Sequence, residues 1–381
     1  MLAFVVTLAV VFLFLAIHPF VTYPMSLRLV RAVRGVPGVA PAPASEPSFA
    51  ICMSAFNEEA VIVQKVNNLL KLKSSVRDCE IFIYVDAALD RTAALLAPFA
   101  DQVVVVVGQE RHGKSYGLNE LVKRTTADIL VFTDANVVID LDALKRIGAR
   151  FADPSIGCVC GNLIYTNDAE TATAATGGLY WRIEEAIKQL ESDTFGIVGA
   201  DGSLFAIRRE LHVPVAPDVI DDFYISMKIL LGGHRVVREP TALAFERSGT
   251  DGSEEFRRKI RIACQAFNVH RIIWSEVRKS PAILYCYVSH RLLKWLIIYN
   301  LLLGSMFAAV AAMLLLPAGQ FLGGAVVALA GAVYFAVGGS SPARQVRSIL
   351  SNLSGAGLGV WRSIKGERFQ TWQPMSTARS Q

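Results

Sequence analysis

Short apolar runs at residues 49–54, 81–86, 103–107 and 129–133 alternate with helical patterns at 59–72, 90–99, 114–123 and 141–151. Such a βαβ series closes only through right-handed crossovers, so it predicts an α/β fold with a parallel sheet covered on both faces. Further strand patterns at 156–165, 202–207 and 235–239 extend it into one domain over residues 49–250. An α/β sheet opens its ligand crevice at the carboxyl ends of its strands. Three of those ends are polar here: Ser54-Ala55-Phe56-Asn57-Glu58-Glu59, then Asp86, then Asp134-Ala135-Asn136. A buried parallel strand does not tolerate a carboxylate and an amide in its interior. At its end, an Asp-x-Asn pair can grip a metal ion and the phosphates that the ion neutralises.

The flanks have a different character. Mean hydropathy is +0.40, too apolar for an ordinary soluble protein, and the excess sits at the two ends. Residues 2–17 carry no charge and the stretch continues to Tyr23; about 20 such residues in a helix span the ~30 Å hydrocarbon layer. The absence of a basic start and of a small-x-small cleavage site favours a retained anchor over a signal peptide. Residues 296–316 and 321–337 are two more apolar runs, joined by Pro317-Ala318-Gly319-Gln320 as a membrane hairpin.

Arg28, Arg31 and Arg34 follow the first run, Arg291 and Lys294 precede the second, and Arg344 and Arg347 follow the third. One topology puts all three clusters in the cytoplasm, with the large middle region on the same side. The expected organisation is an anchor at 1–23, a juxtamembrane linker at 24–48, and the catalytic domain at 49–250. Amphipathic interfacial helices at 251–295, a transmembrane hairpin at 296–338 and a cytoplasmic interfacial tail at 339–381 complete it. The net charge of +5, concentrated beside the spans, suits anionic lipid. Nucleic-acid binding is not expected, because basic and aromatic residues are not interleaved in any such module. The six cysteines lack zinc-ligand spacing and are expected to be reduced and buried.

Several motifs admit two readings. Residues 54–59 could offer free amides and polar side chains to a nucleotide, or be a plain helix start capped by Asn57. In Gln109-Glu110-Arg111-His112-Gly113-Lys114, Arg111 and Lys114 suit a diphosphate, and Gly113 lets the backbone approach. Neither a Walker loop nor a Gly-x-Gly-x-x-Gly turn is present, which removes the usual support for kinase-like and dinucleotide-dependent readings. The segment 254–277 is a basic amphipathic helix, suited either to the membrane face or to solvent.

Residues 54–59, Asp86, Gly113-Lys114 with Leu118-Asn119, and Asp134-Ala135-Asn136 resemble, in order and spacing, the motifs of family 2 glycosyltransferases. The resemblance covers roughly residues 48–250, with membrane flanks like those of members that synthesise bacterial exopolysaccharides. It implies a GT-A fold with a mainly parallel sheet, a nucleotide-sugar donor, a divalent metal (Mg2+ or Mn2+), and inversion at the anomeric carbon. It assigns Asn57, Glu59 and Asp86 to the nucleoside, Lys114 to the base or diphosphate, and Asp134 to the ribose, diphosphate and metal. The family's second carboxylate of the Asp-x-Asp pair is Asn136 here, whose amide oxygen can ligate a hard cation but brings no charge.

Gly199-Ala200-Asp201-Gly202 resembles the family's acceptor loop, in which Asp201 holds a sugar hydroxyl and Gly202 lines the path; otherwise it is a tight turn. Asp221-Asp222 resembles the pair containing the catalytic base, with Asp222 as that base and Asp221 partly an N-cap. Arg257, Arg258, Lys259 and Arg261 resemble a degenerate Gln-x-x-Arg-Trp segment, without its Gln or Trp. Ser289-His290-Arg291 and Thr371-Trp372 read as interfacial anchors.

The reading that follows is an inverting glycosyltransferase at the cytoplasmic face of the inner membrane. It would use a UDP-sugar and a polysaccharide or glycolipid acceptor, with membrane lipids and polysaccharide-export proteins as partners. Two alternatives stand beside it: single-sugar transfer to a lipid phosphate or lipid-linked oligosaccharide, and a non-catalytic nucleotide-sugar-binding scaffold.

Overall fold

Strand β1 (Phe49–Ala55) is buried along its whole length and presents Ala50 and Cys52 to one core, and Phe49, Ile51 and Met53 to the other. Two cores on two faces are what a covered α/β sheet requires. A computed structural model of the chain describes residues 1–36, 38, 46–167 and 170–379. The remaining strands are β2 (Cys79–Val85), β3 (Val104–Val107), β4 (Ile129–Thr133), β5 (Val138–Ile139), β6 (Ile156–Tyr165), β7 (Leu204–Arg208) and β8 (Arg235–Glu246). They form one sheet in the order β3-β2-β1-β4-β7-β6-β8-β5.

The sheet is mixed, with mostly parallel strands. β1, β2, β3 and β4 are mutually parallel, as are β6 and β8, but β7 runs antiparallel to both of its neighbours. Strand alternation predicts a parallel β7. The chain instead enters β7 from the carboxyl edge, pairing Leu204 with Thr133, so the loop just before it lies beside Asp134. β8 also outlasts its predicted end at Glu239. It passes an irregularity at Pro240, resumes pairing, and sets Phe245 opposite Val138.

The helices are α1 (Leu2–Ile17), α2 (Thr22–Arg34), α3 (Ile62–Lys73), α4 (Thr92–Leu96), α5 (Lys114–Val122), α6 (Ala143–Arg150) and α7 (Ala172–Ser192). Then follow α8 (Asp221–Leu231), α9 (Gly252–Val277), α10 (Pro281–Cys286), α11 (Leu293–Trp295), α12 (Ile297–Leu315), α13 (Ala318–Val337) and α14 (Ser341–Ile364).

α12 and α13 are long and apolar enough to cross a membrane, and α1 with α2 would do so only as a pair bent by 63°. The first apolar run therefore ends its straight helix at Ile17, short of Tyr23. Part of the predicted linker is α2, while its residues 37 and 39–45 lie outside the described ones. Phe12 of α1 stacks on Phe307 of α12 at 5.8 Å. α9 hides an apolar face of Ile260, Ala263, Cys264, Val269 and Ile273, and α14 lies against it, with Ser363 Oγ donating to Asn268 Oδ1 at 2.6 Å. The six cysteines are buried and unpaired.

Candidate active site

Four segments meet at one point on the carboxyl edge of the sheet. Asp134 follows β4 directly, α5 opens on Lys114, α8 opens on Asp221 and Asp222, and the loop before β7 brings Gly202. Lys114 Nζ stands 2.8 Å from Asp134 Oδ1 and 3.3 Å from Asp221 Oδ2. A Cβ on Gly202 would lie 3.0 Å from Lys114 Nζ, 3.1 Å from Asp222 Oδ2 and 3.5 Å from Asp134 Oδ2. Two carboxylates and an ammonium thus border one small space, which the missing side chain of Gly202 keeps open, and Asp221 backs the ammonium.

Asp221 and Asp222 occupy the first turn of α8, where unpaired backbone amides stabilise anions. Asp221 is not the N-cap: Ile220 holds that position, without a side-chain cap. Asp222 Oδ1 accepts from the backbone N–H of Phe223, whereas Asp221 Oδ2 is buried without a hydrogen bond. Burial and then the adjacent Asp221 push the Asp222 carboxyl up to about 7, with Lys114 opposing. Burial works against the charge on Lys114, but Asp134, Asp221 and Asp222 outweigh it and hold the ammonium protonated. Of the basic segment 257–261, Arg261 is the residue whose charge is felt here. Burial and Arg258 lower it to about 10, against the pull of Asp134, Asp221 and Asp222. Arg258 and Lys259 pair with Glu255 at 3.2 and 3.4 Å.

Asp86 is fully buried at the end of β2, accepting from His112 N at 2.8 Å and Gly113 N at 3.0 Å. It thereby fixes the turn that delivers Lys114. The Arg111 guanidinium lies 3.4 Å from the centroid of Phe56, and Trp372 meets Phe56 edge-on at 6.0 Å. Asn57, at φ 51°, accepts from Leu89 N at 2.8 Å and ties the ends of β1 and β2 together. Glu59 turns outward to Arg91 at 3.3 Å. Glu58 is the glutamate that turns inward: it is buried, paired with Arg379, and raised by burial, with Asp134 adding to the shift.

Trp372 and Arg379 belong to a tail that returns over this edge. Gln265 donates to Phe369 O at 2.9 Å, Gln370 O takes the space a Cβ on Gly113 would need, and Ser376 and Thr377 donate to Glu254 at 2.6 and 2.8 Å. Thr371-Trp372 therefore lies on the catalytic domain and not as an interfacial anchor.

On the opposite side, Asp201 is paired with the buried Lys188 at 2.8 Å, and Lys188 also bonds Glu185 at 2.9 Å. Arg291 donates to Gly199 O at 2.7 Å and pairs with Glu184 at 3.1 Å, which also holds Lys294 at 2.6 Å. His290 lies 2.7 Å from Glu191, to which Tyr23 donates at 2.7 Å. Ser289 and His290 are buried, so this segment is an internal tie between the 198–203 loop and the apolar helices, not an interfacial anchor.

Residues 50–213 match the model of the family described as Glycosyl transferase family 2. This stretch, from β1 to just past β7, is similar to a family 2 glycosyltransferase domain. Over 200 residues it is 27% identical to poly-beta-1,6-N-acetyl-D-glucosamine synthase of Staphylococcus aureus (strain COL), covering 51% of this chain and 48% of that protein. Over 188 residues it is 29% identical to beta-monoglucosyldiacylglycerol synthase of a Synechocystis species, covering 46% of this chain and 39% of that one. The match spans about half the length, or less, of these curated relatives. Mannosyltransferase PcManGT from Pyrobaculum calidifontis, solved in complex with GDP-Man and Mn2+, superposes with a TM-score of 0.73. The superposition covers 96% of this chain and 100% of that one at 20% identity. That likeness shows the fold, which is GT-A.

Likeness to family 2 implies a divalent cation, and the donor chemistry here fits one. Every candidate ligand is an oxygen, as a hard cation prefers. Asp134 and Asp221 share the ammonium of Lys114, and Asp221 Oδ2 makes no hydrogen bond, so acceptor oxygens there are left over for a cation. Among the described residues, no three His, Cys, Asp or Glu side chains already stand in a metal-holding cluster. Asn136 donates through Nδ2 to Glu246 Oε1 at 2.9 Å.

Sequence reasoning missed Glu58, Glu246, Arg379 and Lys65. Lys65 is fully buried and donates to Thr133 Oγ1 at 2.9 Å and Val137 O at 2.6 Å, bracketing the Asp134–Asn136 turn. Burial lowers it to about 7, against Asp134 and Glu246. Its signal was present: it falls among Ile62, Val66 and Leu69 on the apolar face of α3, where periodicity wants a hydrophobe.

Proposed function

We propose that the chain is a membrane-associated, metal-dependent, inverting glycosyltransferase. It moves a sugar from a nucleotide-sugar donor, a UDP-sugar, to a polysaccharide or glycolipid at the cytoplasmic face of the inner membrane. The observation that carries this reading is the space around Gly202, onto which Asp134, Asp222 and Lys114 converge.

Direct displacement needs one base and one device that accepts the leaving diphosphate's charge. Asp222 is the base: its Oδ2 borders the space, and a carboxyl near 7 is partly ionised at neutral pH, its carboxylate form basic enough to take a hydroxyl proton. As the acceptor oxygen bonds to the anomeric carbon, the bond from that carbon to the diphosphate breaks on the opposite face, and the proton passes to Asp222. Lys114 and Arg261 offset the charge that appears on the diphosphate. Asp134 and Asn136 would hold the divalent cation, which when bound supplies Lewis-acid neutralisation of the same diphosphate.

Asp86 and Asn57 shape the nucleoside side by fixing the turns around Phe56 and Arg111. Asp201, held by Lys188, fixes the acceptor loop that keeps Gly202 in place. The apolar helices α12 and α13, with Arg291, Lys294, Arg344 and Arg347 flanking them, support the membrane location.

A second reading, single-sugar transfer to a lipid, is favoured by one specific feature. Arg291, just before α12, donates to Gly199 O, Tyr23 of α2 donates to Glu191, which in turn accepts from Val198 N, and one relative is named beta-monoglucosyldiacylglycerol synthase. Labelled donor supplied to membranes containing the chain separates the two. Label in material that stays at the origin as long chains supports polymer synthesis; label in one discrete organic-soluble product supports lipid transfer. No incorporation into either contradicts both.

A further inference from the structure

We infer that Glu246 supplies the second carboxylate of the cation site, providing the charge that Asn136 lacks. The inference rests on the transferase reading above.

Three observations carry it. β8 continues past Pro240 and pairs Phe245 with Val138, which fixes the next residue, Glu246, beside the turn that bears Asp134 and Asn136. Glu246 Oε1 then lies 2.9 Å from Asn136 Nδ2, so the two side chains already share one point. The buried Lys65 amine donates to Thr133 Oγ1 at 2.9 Å and Val137 O at 2.6 Å, holding in place the Asp134–Asn136 turn that Glu246 meets.

A carboxylate placed there only to orient an amide is poorly compensated. Charge partly removed from water is costly unless paired; Glu246 makes no ion pair among the described residues, and Arg258, whose charge reaches it, is paired with Glu255. A divalent cation between Asp134 and Glu246 offsets both. Asp134 and Glu246 together carry the two negative charges that an Asp-x-Asp pair would, with Asn136 adding a neutral oxygen. The second charge has moved from β4's turn to the end of β8.

The test is Mn2+ binding, read from the loss of the free-ion electron paramagnetic resonance signal. It uses the full-length chain in lipid nanodiscs, with Mn2+ alone and with Mn2+ plus UDP. Glu246→Gln is expected to weaken Mn2+ binding roughly ten- to hundredfold. Asn136→Asp in the same chain is expected to restore it, because the charge returns at the neighbouring position. Wild-type affinity in Glu246→Gln overturns the inference and leaves Glu246 as a hydrogen-bond acceptor for Asn136. If Glu246→Gln shows no cooperative thermal unfolding, Asn136→Asp alone decides: tighter Mn2+ binding than wild type supports a shared site, and unchanged binding overturns it. A wild type that transfers sugar without binding Mn2+ also overturns the inference. A wild type that neither binds Mn2+ nor releases nucleoside diphosphate overturns the transferase reading itself.

Discussion

Lys114 Nζ stands 2.8 Å from Asp134 Oδ1, so one ion pair joins the start of α5 to the end of β4 across the mouth of the crevice. The same ammonium also opposes the rise of the Asp222 carboxyl. Lys114→Gln is therefore expected to do two things. It should lower kcat/KM about ten- to hundredfold, the worth of one charge-assisted contact to the diphosphate. It should also move the acid limb of the pH–rate profile to higher pH, since burial, Asp221 and Asp201 then act on Asp222 without the opposition of Lys114. A pH profile of nucleoside diphosphate release checks both; an unshifted limb contradicts the coupling.

Asp222→Asn separates catalysis from stability. Loss of a general base should cost about 10²- to 10⁴-fold in turnover. The Asp222 carboxyl lies at about 7 in the folded chain against 3.8 as the ordinary value, so the folded state binds more protons between these limits. Its stabilising contribution is present below the lower value and is lost as pH rises through the upper one. At about pH 8 the Asn variant should consequently melt at or above the wild-type temperature, with the advantage shrinking toward acid. Thermal unfolding at two pH values measures it.

Lys65 has the opposite sign. Its amine falls to about 7 from 10.5, so the unfolded chain binds more protons across that window. Wild-type stability should rise with pH there, and Lys65→Met should remove that slope. The same variant loses the two bonds that bracket Asp134 and Asn136, and weaker metal-dependent turnover is expected with it. Unfolding midpoints either side of neutrality, compared between the two chains, would expose a wrong assignment.

Gly202→Ala places a methyl carbon 3.0 Å from Lys114 Nζ and 3.1 Å from Asp222 Oδ2. The chain should fold, because the methyl enters the open space and not the core. Turnover should drop about 100-fold or more through misplacement of reacting groups. Normal kinetics in this variant would mean that the reaction happens elsewhere.

Much of this was readable in the residues. The β1, β2, β4 core strands and their polar ends followed from short apolar runs, and those ends led to Asp86, Asp134 and Asn136. α7 was not readable, because its inward face carries Glu184, Glu185, Lys188 and Glu191. Buried charges paired across elements erase the apolar periodicity that marks a helix. The direction of β7 depends on which edge the chain enters from, which strand composition does not encode. Glu58 and Glu59 are adjacent acids, and only the turn at Asn57 decides which one points inward. The tail contacts of Trp372 and Arg379 span over 300 residues of sequence, beyond the reach of any local pattern.

The most direct test is nucleoside diphosphate release from a panel of nucleotide sugars by membranes containing the wild-type chain or Asp222→Asn, with and without EDTA and a lipid-linked acceptor. One donor should be consumed by the wild type, with release abolished by EDTA and by the substitution. Binding of nucleotide sugar without consumption of any donor, even with acceptor present, would contradict the transferase account and leave a nucleotide-sugar-binding scaffold.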